Sequence, residues 1–183
     1  MQGMVMELRK TAVSLLIGTL FISVVHAQPK SIGTSYSFGG AGVVYEHTLS
    51  HDSFAGLSLK AETAEMFMGR TGHPGISASF TWNLILKEWT SSDGNRLNLF
   101  AGPGLALGWA KDIRKGDGAV IGLTGRLGME CSFKRKVLIS ISISPIIGTH
   151  AEFLDDSIRM THYLNGLASS SLPEIGIRYV FGR

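Results

Sequence analysis

Six ionisable residues stand in segments where polar and apolar residues alternate, and all six fall on the polar parity: Lys60, Glu62, Arg126, Glu130, Glu174 and Arg178. Residues two apart on a strand share a face, so these three cations and three anions would line one common surface. Around a wide, wet axis such a set selects ions or relays protons. Around a narrow axis it collapses into mutual ion pairs and hydrogen bonds. A ring of eight strands is only just wide enough for its own side chains, so pairing is expected and a conducting pore is not.

Histidine is the other chemistry-bearing type. His47, His51 and Asp52 lie close in sequence, as do His150, Glu152, Asp155 and Asp156. Neither set has the fixed spacing of a metal motif, and polar residues in turns need no ligand to explain them, so no metal is expected. His162 differs. In SIRMTHYLN it shares parity with Ile158, Met160 and Leu164, which puts an imidazole on the apolar face. A polar group there is costly unless it lies at an interface or has a partner. No glycine-rich phosphate loop leads from a strand into a helix, and no Ser sits in a G-x-S-x-G turn, so no cofactor is expected.

The elements that must position these residues are strands. From Ala55 to Glu62, Ala55, Leu57, Leu59 and Ala61 oppose Gly56, Ser58, Lys60 and Glu62. From Ile121 to Phe133 the apolar parity runs Ile121, Leu123, Leu127, Met129, Cys131, Phe133 against Gly122, Thr124, Arg126, Gly128, Glu130, Ser132. Segments 76–87, 97–110, 137–148 and 174–181 behave alike, and turn-rich pieces such as Ser91-Ser92-Asp93-Gly94-Asn95 and Lys134-Arg135-Lys136 separate them. Such connections join antiparallel neighbours. With an opening strand over 35–48 the count is seven clear strands, and Ser157 to Asn165 supplies a weaker eighth. Repeated glycine inside these runs, at Gly102, Gly104, Gly122 and Gly128 among others, implies close backbone approach.

Location follows from the first residues and from composition. Arg9 and Lys10 precede an apolar run, TAVSLLIGTLFISVV, that ends at Val25-His26-Ala27. That is the plan of a secretory leader, placing residues 1–27 in the signal peptide and 28–183 in one domain. The formal net charge of +3 without a clustered basic face gives no basis for binding nucleic acid, and the single Cys131 excludes an intrachain disulfide. Two placements of the strands remain. A soluble, lipocalin-type barrel would bury the apolar parity around an apolar ligand. An outer-membrane barrel would turn it to lipid. The polar parity is rich in Gly and Ser with few charges, as a cramped lumen requires. Trp82, Trp89, Trp109, Tyr45, Tyr179 and Phe181 are expected near segment ends, as interfacial girdles require.

The leader, the alternating strands, YEHTL at 45–49, LFAGPGLALGW at 99–109 and PEIGIRYVF at 173–181 together resemble small outer-membrane β-barrels of the OmpA/OmpX type. The resemblance implies an all-β, antiparallel, up-and-down transmembrane barrel of eight strands, exported to the outer membrane of a Gram-negative cell. Membrane lipid, including lipopolysaccharide, would be its surroundings, and its role would be non-enzymatic. An even strand number puts both termini at one end, but with these eight segments the short Lys134-Arg135-Lys136 turn falls at the other end, where loops are usually long.

A second, local resemblance points elsewhere. THYLNG at 161–166, with Glu174 beyond it, is similar to the active-site segment of outer-membrane lipid A deacylases of the PagL family. That likeness implies His162 as general base and Glu174 as its orienting carboxylate. Leu164 stands where the family carries its nucleophilic Ser, and Glu174 falls on the lumen parity; without the hydroxyl the acyl transfer has no nucleophile.

Overall fold

The computed structural model describes residues 29–113, 116–134, 136–154 and 157–182. The leader expected over 1–27 lies outside them, as do Asp155 and Asp156. Ten strands form: β1 (Lys30–Ser37), β2 (Gly40–Ser50), β3 (Ser53–Glu62), β4 (Gly75–Thr90), β5 (Arg96–Lys111), β6 (Asp117–Phe133), β7 (Val137–Ile143), β8 (Ile146–Leu154), β9 (Ser157–His162) and β10 (Glu174–Phe181). Two single-turn helices, α1 (Ala64–Phe67) and α2 (Asn165–Ala168), lie in the connections.

All neighbouring strands are antiparallel, and the ring closes where Lys30–Tyr36 of β1 pair with Ile175–Phe181 of β10. The ten strands occupy eight wall positions. β6 is long enough to pair with β7 through Leu127–Phe133 and with β8 through Gly118–Thr124, so β7 and β8 are one wall position broken at Ser144-Pro145. Proline cannot donate to a ladder. Its carbonyl instead accepts from Gly125 N (3.3 Å) and Thr124 Oγ1 (3.0 Å). β9 and β10 likewise share one position, separated by residues 163–173.

The strand bookkeeping read from sequence is corrected here. The single opening strand expected over 35–48 is the β1–β2 hairpin, turning at Phe38-Gly39 and re-pairing at Ser37 and Gly40. From Gly39 to Gly42 every residue is small, so the alternation carried by Tyr36 and Phe38 lapses there and does not show the reversal. The weak eighth strand over 157–165 stops at His162 and shares its wall position with the last strand. The total stays eight, but every later connection changes ends. Lys134 and Lys136 now lie at the same end as Lys30 and Phe181, where a short turn is ordinary.

The aliphatic parity points outward on every wall position. Ile32, Val43, Leu57, Leu84, Leu105, Ile121, Ile147 and Ile177, one from each wall position, are each 47–69% exposed, while Ser31, Ser35, Glu46, Thr81, Asn83, Arg126, Ser140 and Arg178 are buried around the axis. A water-soluble barrel would have the reverse, so the lipocalin-type reading is excluded. Trp109 stacks on Phe153 at one end (5.8 Å between centroids, 9° between planes), and Trp89, Phe133 and Phe181 lie at the other. Trp82 departs from the expected girdle: it sits in the middle of β4, among the aliphatic residues.

The inward glycines set how tightly adjacent strands approach. A Cβ added at Gly102 would run into the carbonyl of Trp82 on β4. Gly102→Ala is therefore expected to lower the unfolding midpoint in urea, by about 1–3 kcal/mol of stability as over-packing usually costs. Gly125, which faces outward with open space around it, should accept alanine with no such loss.

Candidate functional site

The inward side chains form layers along the axis. At the end that holds Lys30 and Phe181, a cavity of about 470 Å³ opens between Lys30, Glu46, Phe54, Glu88, Arg96 and Glu130. Its inner wall is a network of two arginines and two carboxylates. Arg126 Nη1 donates to Glu46 Oε1 at 2.7 Å. Arg178 Nε lies 3.0 Å from the other oxygen of Glu46, and its Nη2 donates to Glu130 Oε2 at 3.0 Å. Hydroxyls and an amide complete it: Arg178 Nη1 donates to Ser140 Oγ (3.1 Å), Arg126 Nε to Ser142 Oγ (3.4 Å), and Asn98 Nδ2 to Glu130 Oε1 (3.1 Å). The Arg126 guanidinium also lies 5.0 Å from the Phe100 ring centre, within cation–π range.

Each member reaches the network because its strand places it on the inward parity at the right height. Glu46 comes from β2, Asn98 from β5, Arg126 and Glu130 from β6, Ser140 and Ser142 from β7, and Arg178 from β10. Charges taken out of water are tolerated only when paired and hydrogen-bonded, and Arg178, 1% exposed, has a partner at each terminal nitrogen.

Beyond the network lies a chamber of about 40 Å³, room for a water molecule, bordered by Ser58, Ser79, Thr124, Arg126 and Glu174. Lys60 pairs with Glu174 across it, and Glu62 Oε1 accepts from Ser77 Oγ at 2.5 Å. The far end is filled by residues 163–170. Asp112 Oδ1 accepts from the backbone of Asn165 (2.9 Å), Asn165 Nδ2 donates to Lys111 O (2.9 Å), and the fully buried His150 lies 3.0 Å from Ala110 O through Nε2.

The six charges read from parity thus fall into separate clusters. Arg126, Glu130 and Arg178 meet through Glu46, whereas Lys60 and Glu174 form their own pair and Glu62 turns to a serine. Glu46 is the bridging residue that sequence reasoning left out. The signal was its position two residues from Val44 on the inward parity of β2, masked by treating β1 and β2 as one strand.

His162 is exposed on the outer wall opposite Thr149. Glu174 is 8% exposed and faces the lumen against Lys60, so the structure does not bring the two together as a base and its orienter, and the exposed Leu164 offers no hydroxyl. Among the described residues no group of three or more His, Cys, Asp or Glu side chains is placed to hold a metal ion. His51 and Asp52 pair with one another at 2.5 Å in the turn between β2 and β3.

Two outcomes are expected from these contacts. Removing one partner of a buried ion pair strands the other's charge and typically costs about 3–5 kcal/mol. Glu46→Ala and Arg126→Ala should each lower the unfolding midpoint by that order, and the double variant should lose clearly less than the sum. For His51, the hydrogen bond and charge of Asp52 raise the imidazole above its ordinary 6.5. The protonated pair is therefore complete below that value and is lost as pH climbs through the raised midpoint. An NMR titration should show a midpoint above 6.5 that Asp52→Asn brings down.

No family model and no curated protein matches the sequence. Among solved structures, the chain is similar to the N-terminal β-barrel domain of Pseudomonas aeruginosa OprF, at 13% identity and a TM-score of 0.50, over 84% of this chain and 96% of that one. Weaker likenesses are to a major outer membrane protein from Thermus thermophilus (11% identity, TM-score 0.48, 85% and 100% of the two chains) and to Ail, the attachment invasion locus protein of Yersinia pestis (12%, 0.37, 84% and 99%). The likeness to OprF bears on architecture alone, and it agrees with the wall count and closure described above: this chain has the closed, eight-stranded, up-and-down β-barrel fold found in small outer-membrane proteins.

Proposed function

We propose that the chain is exported by its leader and inserts in the outer membrane of a Gram-negative envelope as a non-enzymatic barrel. Its lumen is filled by side chains, and its loops serve binding or envelope integrity. The observation that carries this reading is the direction of the side chains. Aliphatic residues face out on all eight wall positions while four charged residues of the network pair around the axis. The termini and the short turns at 51–52, 91–95 and 134–136 would face the periplasm. The longer connection 63–74, with α1, and the end of the β8–β9 hairpin would face outward, where loops on a rigid frame carry recognition. Arg70 and Arg159 are at that end, at the height where a barrel would meet the phosphates of lipopolysaccharide.

The lipid A deacylase reading has no support from the geometry, because the base, the carboxylate and a nucleophile do not meet. Nor does an open pore, since the network and the 163–170 segment both cross the lumen.

Three measurements on one preparation test the proposal. The protein should fractionate with outer membranes, migrate faster on SDS gels before boiling than after, and give no stepwise conductance in planar bilayers. Recovery in the soluble periplasmic fraction, or loss of acyl chains from purified lipid A on incubation, would overturn it.

A further inference from the structure

The vestibule at the end that holds Lys30 and Phe181 has room for an organic solute. Its volume of about 470 Å³ falls within the range of small-molecule sites, about 300–1000 Å³. It has an entrance and a floor. β4 runs on from Ile85 to Thr90 past Leu84, its last ladder partner on β3, and there pairs with β5. The β4–β5 ribbon therefore stands above the lower turn at His51-Asp52, and the mouth opens on that side. Below, the ion-pair network closes the bore, and the chamber beyond it takes about one water molecule. A solute can be held in the vestibule but not passed through.

The charges on the vestibule wall are sorted by depth. Glu46 and Glu130 line it, whereas their partners Arg126 and Arg178 lie behind them, 7% and 1% exposed. A bulge brings in a third carboxylate. Across the β4–β5 ladder Ile85 opposes Phe100 and Lys87 opposes Leu99, so the register slips at Leu86. Without that extra residue Lys87 would oppose the inward Asn98. With it, Glu88 takes the inward place and Lys87 lies 5.0 Å from the Trp89 ring centre instead. Asn98 in turn opposes Glu130, which puts Glu88, Asn98 and Glu130 in one layer across β4, β5 and β6.

Cations stand nearer the mouth. Arg96 is two residues farther out on β5, opposite Thr90 and Ser132, and Lys30 lines the vestibule from β1, diametrically across the ring. Arg96 Nε is 3.9 Å from Glu88 Oε1, too long for a hydrogen bond, so both groups retain capacity for a ligand. Phe54, Leu138 and Val180 supply apolar wall.

We propose that this vestibule binds a short zwitterionic peptide of dipeptide length, its ammonium end against Glu88 and the floor carboxylates and its carboxylate at Arg96 and Lys30. Length selects the class. The two charged layers are two strand residues apart, about 7 Å. A single amino acid carries both charges on one α-carbon and is too short, whereas an extended dipeptide spans about 7 Å. The site needs only the folded barrel; that its mouth opens to the periplasm rests on the membrane placement proposed above.

The test is a calorimetric titration of the folded barrel in dodecylmaltoside micelles at low salt, with leucyl-leucine as the probe. Binding should be saturable and one-to-one. N-acetyl-leucyl-leucine, leucyl-leucine amide and free leucine should each bind at least about 10-fold more weakly, the scale of one lost charge-assisted hydrogen bond. Glu88→Gln should weaken leucyl-leucine by about 10-fold and leave the acetylated peptide unchanged. Arg96→Gln should weaken leucyl-leucine similarly and leave the amide unchanged. Should either variant fail to fold, the ligand series on the unaltered chain decides alone. No saturable binding, indifference to both acetylation and amidation, or substitutions that weaken every ligand equally would overturn the site. The titration needs no bilayer. A barrel that binds the peptide yet fractionates as a soluble protein would overturn the membrane placement and keep the site, and the converse would overturn the site alone.

Discussion

Hydrocarbon offers no partner to a backbone amide, so a sheet that spans a membrane must have no free edge within it. In this chain that requirement falls on one seam, the pairing of Lys30–Tyr36 with Ile175–Phe181. Closure around eight wall positions fixes a narrow bore, and the narrow bore dictates which residues are usable inside: glycine and serine where strands crowd, and a few long charged side chains that reach across. The ion pairs between Glu46, Arg126, Glu130 and Arg178 are the electrostatic counterpart of the same demand. A charge drawn into a space too small for bulk water has to meet its opposite there.

The network also explains why the barrel interior needs no hydrophobic core of ordinary size. Among the described residues the one apolar cluster inside, Ala106, Ala110, Val120, Ile146 and Tyr163, is small and lies at the end where residues 163–170 fold in. Elsewhere, cross-lumen hydrogen bonds tie β2, β5, β6, β7 and β10 together, elements far apart in sequence. The outside presents the aliphatic parity, the inside is held by satisfied polar groups, and each inward glycine permits the strand spacing on which the closed wall depends.

The parts of this arrangement legible in the sequence were those governed by period two. Leu57 against Ser58 and Lys60, or Ile121 and Leu123 against Thr124 and Arg126, disclose strand and facing at once. The β1–β2 turn was not legible, because Ser37, Gly39, Gly40 and Gly42 are small on both sides and carry no alternation. The break at Ser144-Pro145 hid inside an otherwise continuous run of isoleucines. Partnership across the lumen was the least accessible. Parity says that Arg178 and Lys60 face inward, but which carboxylate each meets depends on the register accumulated around the ring, and Glu46 entered only once its strand was separated from β1.

The closing seam joins one end of the described chain to the other, Lys30 to Phe181, whereas most other pairings are hairpins between consecutive strands. Bringing such distant segments together carries the largest loop entropy in the molecule, and non-local contacts of this kind slow folding. The hairpins can form locally, one upon the next, but the cylinder is complete only when the first strand meets the last. Until then the unsatisfied edges of β1 and β10 are available to any other chain, so the time spent as an open curl, more than the stability of the finished barrel, sets how readily this protein aggregates before the ring closes.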